Sequence, residues 1–307
     1  ITICFDSRQD IYAGVSIVDS LNAQGFNFGS RPKPLIKQQR SVLIFIGIAL
    51  YESILNKAKP ISEIITSTLE VTQRMFFEEV SEIFEKEIRD NKFVGFFKGL
   101  FKSGKLLAQR ITSTDSLSKE LNNRLKLVQK NTINECIDDL VIYLRSKIEE
   151  DENVNYGDFL IIFPFHTDKK TNTPIIEALH QSMAALEIPY TYIGTADYDK
   201  SYLPKPRYFD GKNISEEKDN RLTADLASNS VKIMTASNSK GYDRKYVFVL
   251  NFDDLEIDKP DNSFKPHALS YVILTRAVDQ CVIYYKSQTT IIDKIISITD
   301  YIDTNKI

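Results

Sequence analysis

The 307-residue sequence contains no tryptophan, only three cysteines, three histidines and three methionines. Cys4, Cys136 and Cys281 are odd in number, far apart and set in apolar surroundings. This pattern favours buried reduced thiols in a cytoplasmic protein over a disulfide framework, and no metal-binding spacing exists among the cysteines and histidines. The longest apolar run, residues 42–51, has about half the length that a bilayer span needs. We therefore expect neither a membrane partner nor a metal site in this chain.

The excess of one charge sign over the other is also small, since the net charge is only -3. This value excludes a uniformly basic coat for nucleic acid, although it permits a local basic groove. A composition of 42% hydrophobic and 26% charged residues is typical of a soluble globular chain with one large domain or about two ordinary ones. Ile1 begins inside a strand-like segment and not in a signal peptide, which favours a fragment of a longer polypeptide.

Residues 231–285 contain the most informative pattern of the sequence. An apolar strand over 231–234 leads into a polar loop over 235–243, and a continuous apolar strand follows at 246–250. Pro266 then opens a helical window, which ends directly before a strand over 281–285. A loop as polar as this between two buried strands is expected at a sheet edge, where it faces water or a ligand.

Arg276 stands at the end of that helical window, close to the following strand. A guanidinium has five donors and no proton to lose, which suits a phosphoryl ligand. The plainer interpretation is a cation at a helix C-terminus that interacts with the macrodipole.

The residues of this region resemble two motifs of UvrD/Rep-type superfamily 1 helicases. The stretch from Thr235 to Asp243 is similar to T-x-H-x-x-K-G-x-E, and residues 271–277 are similar to Y-V-A-x-T-R-A. In that family both segments belong to the second RecA-like domain, and the arginine reaches the γ-phosphate of ATP that the first domain binds. Two positions depart from the pattern, because Ser237 replaces the usual histidine and Asp243 the usual glutamate.

The resemblance assigns roles to further residues of the loop. It implies nucleotide binding for Thr235, Lys240, Gly241 and Asp243, the last as an acceptor for the nucleotide ribose. It also implies that Ser237 and Asn238 belong to the nucleic-acid-facing surface, where hydroxyls and amides contact phosphates. Tyr12, from another segment, and Thr235 are candidates for the same surface.

Residues 5–12 resemble the family motif G-D-x-x-Q-x-I-Y, with Phe5 in place of the glycine. In relatives the glutamine, here Gln9, senses the γ-phosphate, and Tyr12 is a candidate for the DNA-facing side. The aromatic residue and arginine that usually follow are absent, because Gly14 and Val15 stand there. Loss of a base-stacking platform, worth about 1–3 kcal/mol per base, weakens or relocates the grip on a single strand. Arg40, before the apolar run, resembles the arginine of N-Y-R-S, a second γ-phosphate ligand.

Residues 52–155 change character and predict helices, one region over 61–84 and a second over 121–144. Between them, residues 99–106 match the glycine and lysine spacing of a P-loop, but Leu106 replaces the hydroxyl residue that holds magnesium. An amphipathic helix over 92–107 is the better interpretation. It packs on the core, contacts DNA, or binds a protein partner or a membrane surface.

The remaining segments predict an α/β arrangement. A strand over 158–163, a helix over 175–186 and a strand over 190–194 form a unit that suits a parallel sheet. The polar stretch 197–230 is too short for the extra helical domain that relatives insert there. Residues 291–301 predict a C-terminal amphipathic helix.

We therefore expect a RecA-like, mostly parallel sheet flanked by helices, with residues 1–50 spanning the end of the first RecA-like domain and the start of the second. Residues 51–150 are predicted as a helical insertion, and residues 151–307 as the rest of the second domain. The implied function is an ATP-dependent DNA helicase or translocase, with Arg276, Arg40 and Gln9 as catalytic residues. Its partners are DNA, single-stranded or tailed, and the N-terminal RecA-like domain.

The implied cofactors are ATP and Mg²⁺, whose ligands we expect outside this chain, so that the chain alone should not hydrolyse ATP. One alternative is a helicase-like domain that performs no chemistry and docks nucleic acid or protein. Another is an unrelated α/β enzyme with chance matches to the motifs.

Overall fold

The structure, a computed structural model, describes residues 41–71, 114–169, 171–172, 174–194, 207–216, 229–240, 242–255 and 265–305. These residues form an eight-stranded, mostly parallel sheet with helices packed on both faces, which confirms the predicted α/β class. The strands are β1 (Leu125–Gln129), β2 (Phe159–Phe163), β3 (Tyr190–Ile193), β4 (Arg207–Phe209), β5 (Ile214–Glu216), β6 (Val231–Thr235), β7 (Arg244–Val249) and β8 (Ala277–Tyr285).

The strand order across the sheet is β1-β8-β7-β2-β6-β3-β4-β5. The strands from β1 to β3 in this order are all parallel, whereas β4 runs antiparallel to β3 and β5 antiparallel to β4. The carboxyl ends of the parallel strands therefore share one edge of the sheet, and their amino ends share the other.

The helices lie on two faces because the chain reverses its direction across the sheet. It moves one way from β1 through β2 to β3, and back from β6 through β7 to β8. Right-handed crossovers in opposite directions put their connections on opposite faces. The helices are α1 (Ser41–Leu55), α2 (Thr114–Arg124), α3 (Ile133–Glu150), α4 (Ile175–Ala185), α5 (Pro266–Leu274) and α6 (Thr290–Thr304).

Each face has its own hydrophobic core. Helices α3 and α4 pack on one face, and α1, α2, α5 and α6 pack on the other. Strand β2 serves both cores, because Leu160 and Ile162 point to the α1 side while Phe159 and Ile161 point to the α3 side. A strand buried on both faces needs the continuous apolar run that β2 has.

Helix α3 shows how the local sequence defines an element. The Thr132 hydroxyl accepts a hydrogen bond from Glu135 N at 3.2 Å, and the Glu135 carboxylate accepts one from Asn131 N at 3.0 Å. These side chains satisfy backbone donors at the start of the helix. The buried residues recur at helical spacing, so one face of the helix covers the sheet; they are Ile133, Cys136, Ile137, Leu140, Val141 and Leu144.

Most predicted elements of the second half are confirmed, including the strands β2, β3, β6, β7 and β8 and the helices α4, α5 and α6. The helical prediction over 121–144 is wrong at Leu125–Gln129, which forms edge strand β1 beside β8. Leu125 and Leu127 alternate with the polar Lys126, a strand period that the helical spacing of Leu121 and Leu125 obscured. The polar stretch 197–230 also contributes the hairpin strands β4 and β5.

Part of the predicted middle region lies outside the described residues, including 72–113 with its P-loop-like stretch and the 92–107 segment. A helix covers 61–71 and agrees with the start of the predicted 61–84 region. The domain divisions at residues 50 and 150 stay predictions. Among the described helices, none combines the length and the apolar character required to cross a bilayer.

Candidate functional site

Helix α5 ends beside the amino-terminal edge of the sheet and delivers Arg276 there. The Thr275 amide donates to Tyr271 O at 3.1 Å, and its hydroxyl donates to the same oxygen at 2.9 Å. The Arg276 amide donates to Ile273 O at 3.2 Å, after which the chain enters β8 at Ala277. These bonds close the last turn of α5 and fix the backbone that carries the arginine.

Among the described residues, three neighbours hold the Arg276 guanidinium, and Arg276 is only 3% exposed. Its Nη1 lies 3.1 Å from Asp243 Oδ1, which forms an ion pair with side-chain exposures of 4% and 29%. Its Nε donates to Val272 O at 3.0 Å, and its Nη2 donates to Thr275 Oγ1 at 3.1 Å. Two residues that the sequence assigned to nucleotide chemistry thus meet, although 33 positions separate 243 from 276 in the sequence.

Two strand starts bring this pair together. Asp243 directly precedes β7, Arg276 directly precedes β8, and these strands are parallel neighbours. The Arg244 amide donates to Arg276 O at 3.1 Å, so the two backbones are joined at this point. The register between the strands shifts after the pairing of Arg244 with Ala277, which is an irregularity of the kind that re-aims side chains at sites.

Helix α1 packs antiparallel against α5 on the same face of the sheet. The Tyr51 ring lies 4.9 Å from the His267 ring and 6.3 Å from the Tyr271 ring, measured between centroids. Earlier in α1, a Cβ added at Gly47 would lie 3.1 Å from Tyr271 Cδ2 and 3.6 Å from Thr275 Cγ2. The amino-terminal end of α1 therefore lies toward the Arg276 end of α5. Glycine at position 47 permits this close approach.

Three other predicted residues lie at the opposite, carboxyl-terminal edge of the sheet. Thr235 ends β6, and its hydroxyl lies 3.1 Å from that of Ser237. Asn238 Nδ2 donates to Gly194 O at 2.9 Å, which ties the loop after β6 to the end of β3. Ser237 and Asn238 are partly exposed, whereas Thr235 is buried. The pairing registers of β2 with β6 and β7 put these residues roughly 20 Å from Asp243 along the strands.

The structure thus divides the predicted site between two edges. Lys240 follows the short 3-10 helix Ala236–Ser239 and is partly exposed on the connection between those edges. Four predicted site residues, Gln9, Tyr12, Arg40 and Gly241, lie outside the described residues, and their roles stay predictions.

A buried charged cluster that was not predicted from the sequence lies at the carboxyl-terminal edge. Asp168 follows β2 and is 1% exposed, and Lys286 follows β8 and is also buried. Their side chains form an ion pair, and Asp168 also accepts hydrogen bonds from Asn251 Nδ2 at 3.1 Å and from Thr171 N at 2.8 Å. Each residue comes soon after the carboxyl end of a buried strand, and charged residues at this place in the sequence could have identified both as candidates.

Two more carboxylates extend this cluster in the loop after β7. The Asp253 carboxylate accepts a hydrogen bond from Ser287 N at 3.0 Å, and Lys169 donates to the backbone oxygen of Asp254 at 2.9 Å. Burial raises the pKa of both carboxyl groups, and that of Asp254 to about 6. Burial also acts to raise the pKa of Asp168, but hydrogen bonds from Lys286 and Thr171 outweigh it and lower this pKa to about 2. Among the described residues, no group of three or more His, Cys, Asp or Glu side chains could hold a metal ion.

The chain matches no protein-family model and no curated protein sequence. The fold and the site define an α/β protein with a mostly parallel sheet, a buried arginine at one edge and a hydroxyl-rich loop at the other. The resemblance to UvrD/Rep-type helicases therefore stays a prediction from the sequence motifs.

Proposed function

We propose that this chain is the C-terminal part of an ATP-dependent DNA helicase or translocase with a RecA-like fold. In this function Arg276 contacts the γ-phosphoryl group of ATP that another domain binds. The observation that carries the proposal is the meeting of Arg276 with Asp243 at 3.1 Å, because both come from motifs that the family uses for the nucleotide. The mostly parallel sheet with helices on both faces is compatible with a RecA-like domain.

Arg276 has the chemistry that the proposed reaction needs. A guanidinium stabilises negative charge on the oxygens of a transferring phosphoryl group, and it stays charged at every working pH. Mg²⁺, with ligands outside this chain, neutralises the same phosphates when it is bound with ATP. Arg40, which lies outside the described residues, is proposed as a second γ-phosphate ligand because of its resemblance to the arginine of N-Y-R-S. Gln9 couples the phosphoryl group to domain closure.

The opposite edge is suited to nucleic acid. Thr235, Ser237 and Asn238 offer hydroxyl and amide groups, and such groups contact phosphates without reading base sequence. Tyr12 is proposed for the same surface. In this proposal the strand contacts lie at one edge of the sheet and the arginine that contacts the nucleotide lies at the other.

The experiment is ATP hydrolysis by a protein that joins this chain to its N-terminal RecA-like domain, with and without single-stranded DNA. Arg276→Ala should lower DNA-stimulated turnover by about a thousandfold or more, because arginine fingers contribute about 10³ to 10⁵. Arg276→Lys is the matched variant, since it keeps the charge but loses the planar fork. Turnover of Arg276→Ala within a few-fold of the unmodified protein would refute the proposal.

A second candidate is a helicase-like domain that performs no chemistry and docks nucleic acid or a protein partner, the latter through residues 92–107. The burial of Arg276 favours it, because a guanidinium that is 3% exposed is already engaged. This candidate predicts that Arg276→Ala leaves partner binding unchanged in a protein that hydrolyses no ATP. Measuring DNA binding and ATP turnover on the same preparation separates the two candidates.

A further inference from the structure

The role proposed for Arg276 requires its observed contacts to change. An arginine that reaches a phosphoryl group on another domain has to present N–H groups at the surface. Arg276 is 3% exposed, and its three nitrogens have partners in Asp243, Val272 and Thr275. Contact with a nucleotide therefore requires the guanidinium to move or to exchange a partner.

We propose that Asp243 is a positioning residue that holds Arg276 in a retracted position, and that a phosphoryl group displaces Asp243 to engage the arginine. This inference rests on the proposed function and changes one part of it. Asp243 acts on the arginine instead of on the nucleotide ribose.

The geometry favours Asp243 over the other two partners as the group that is exchanged. Val272 O and Thr275 Oγ1 belong to the last turn of α5 and move with Arg276. Asp243 belongs to a different segment, the loop between β6 and β7, and its side chain is 29% exposed. It is the negatively charged partner among the three, so it competes directly with a phosphate for the same cation.

Removing this charge should activate the proposed enzyme. In the protein that contains both RecA-like domains, Asp243→Asn should raise ATP turnover without DNA by about tenfold, the factor expected for the loss of one close charge–charge contact. The KM for ATP should fall or stay unchanged. Asp243→Glu keeps the carboxylate, so its turnover without DNA should rise less than that of Asp243→Asn. If Asp243 instead binds the nucleotide ribose, Asp243→Asn should raise the KM for ATP and give no gain in turnover.

Glu177→Gln is the control for general loosening of the fold. Glu177 pairs with Arg207 at 2.5 Å through Nη2, and Arg207 is also buried. The variant makes the same chemical change in an ion pair elsewhere on the sheet, where no nucleotide role is proposed. It should leave turnover unchanged.

A second measurement uses this chain alone and needs no ATP. Phenylglyoxal modifies accessible guanidiniums, and mass spectrometry reports the rate at each arginine. In the chain without substitutions, Arg276 should react with phenylglyoxal much more slowly than Arg145, whose side chain is 49% exposed. Asp243→Asn should accelerate the reaction at Arg276, whereas Asp243→Glu should not.

The outcomes separate this inference from the proposed function. If Arg276→Ala leaves turnover unchanged, the proposed function fails and the inference fails with it. If Arg276→Ala abolishes turnover but folded Asp243→Asn shows no gain, or shows a higher KM, the inference alone is wrong. If Asp243→Asn does not fold, the rates of phenylglyoxal modification in the unmodified chain test whether Arg276 is retracted. Reaction at Arg276 as fast as at Arg145 overturns the retracted position, and slow reaction supports it.

Discussion

Replacing Lys286 by methionine tests the buried cluster at the carboxyl-terminal edge of the sheet. Lys286 and Asp168 have side-chain exposures of 2% and 1%, so solvent screens their ion pair very little. Methionine keeps the aliphatic part of the side chain and removes the charge. The Asp168 carboxylate then stays buried without its cation.

Such a change should cost about 3–5 kcal/mol in the free energy of unfolding at pH 7. The lower end of this range applies, because Asp168 keeps hydrogen bonds from Thr171 N at 2.8 Å and Asn251 Nδ2 at 3.1 Å. The pKa of Asp168 is lowered to about 2 in the folded chain, so its stabilising contribution is present above the unfolded pKa, about 4. The difference in the free energy of unfolding between Lys286→Met and the unmodified chain should therefore shrink as the pH falls from about 4 to about 2.

Equilibrium unfolding in urea measures this difference, followed by circular dichroism and by fluorescence of the 15 tyrosines. The double variant Asp168→Asn with Lys286→Met should be more stable than Lys286→Met alone, because the unpaired charge is then removed as well. Lys59→Met is the control, since Lys59 and Glu63 pair on the surface with exposures of 47% and 55%. It should cost about 0.5 kcal/mol or less. An equally small cost for Lys286→Met would refute the buried ion pair.

Two further variants test other parts of the fold. The pKa of Asp254 is raised to about 6 by burial, so this group stabilises the folded chain fully below the unfolded pKa, and the contribution is lost as the pH rises through about 6. Between pH 5 and pH 7.5, the free energy of unfolding should therefore fall by about 1 kcal/mol less in Asp254→Asn than in the unmodified chain. If urea titrations gave the same pH dependence for both proteins, this would contradict the burial of Asp254. Gly47→Leu should cost about 1–3 kcal/mol and lower the melting temperature, because its Cβ already meets Tyr271 Cδ2 at 3.1 Å. A melting temperature equal to that of the unmodified chain would show that α1 does not approach α5 so closely.

The central strands were predictable because all their side chains lie in one kind of environment, the buried interior. Strands β2 and β7 contain apolar runs that only a sheet covered on both faces accommodates. Strand β1 was not predictable, since it lies at the edge, where alternation is incomplete and Leu121 and Leu125 imitate a helix. Its identity depends on pairing with β8, which follows it by more than 150 residues.

The candidate site was predictable in its residue types but not in its pairings. The end of α5 identified Arg276 as a candidate, yet contact with Asp243 depends on β7 and β8 being neighbours. The Asp168 and Lys286 pair has the same origin, because β2 and β8 are both neighbours of β7. Strand order in a doubly wound sheet follows from long-range packing, and local sequence carries little of that information.

In the proposed motor, the connection between β6 and β7 links the DNA-facing edge to the edge that carries Arg276. It begins with Thr235 and Asn238 at the proposed DNA surface and ends with Asp243 beside Arg276. Nucleic acid that shifts the start of this short connection would pull on Asp243 and weaken its hold on the arginine. Asp243→Asn should then reduce the ratio of DNA-stimulated to basal turnover, because basal turnover already includes the released arginine. An unchanged ratio together with a raised basal rate would show that DNA acts on the motor by another route.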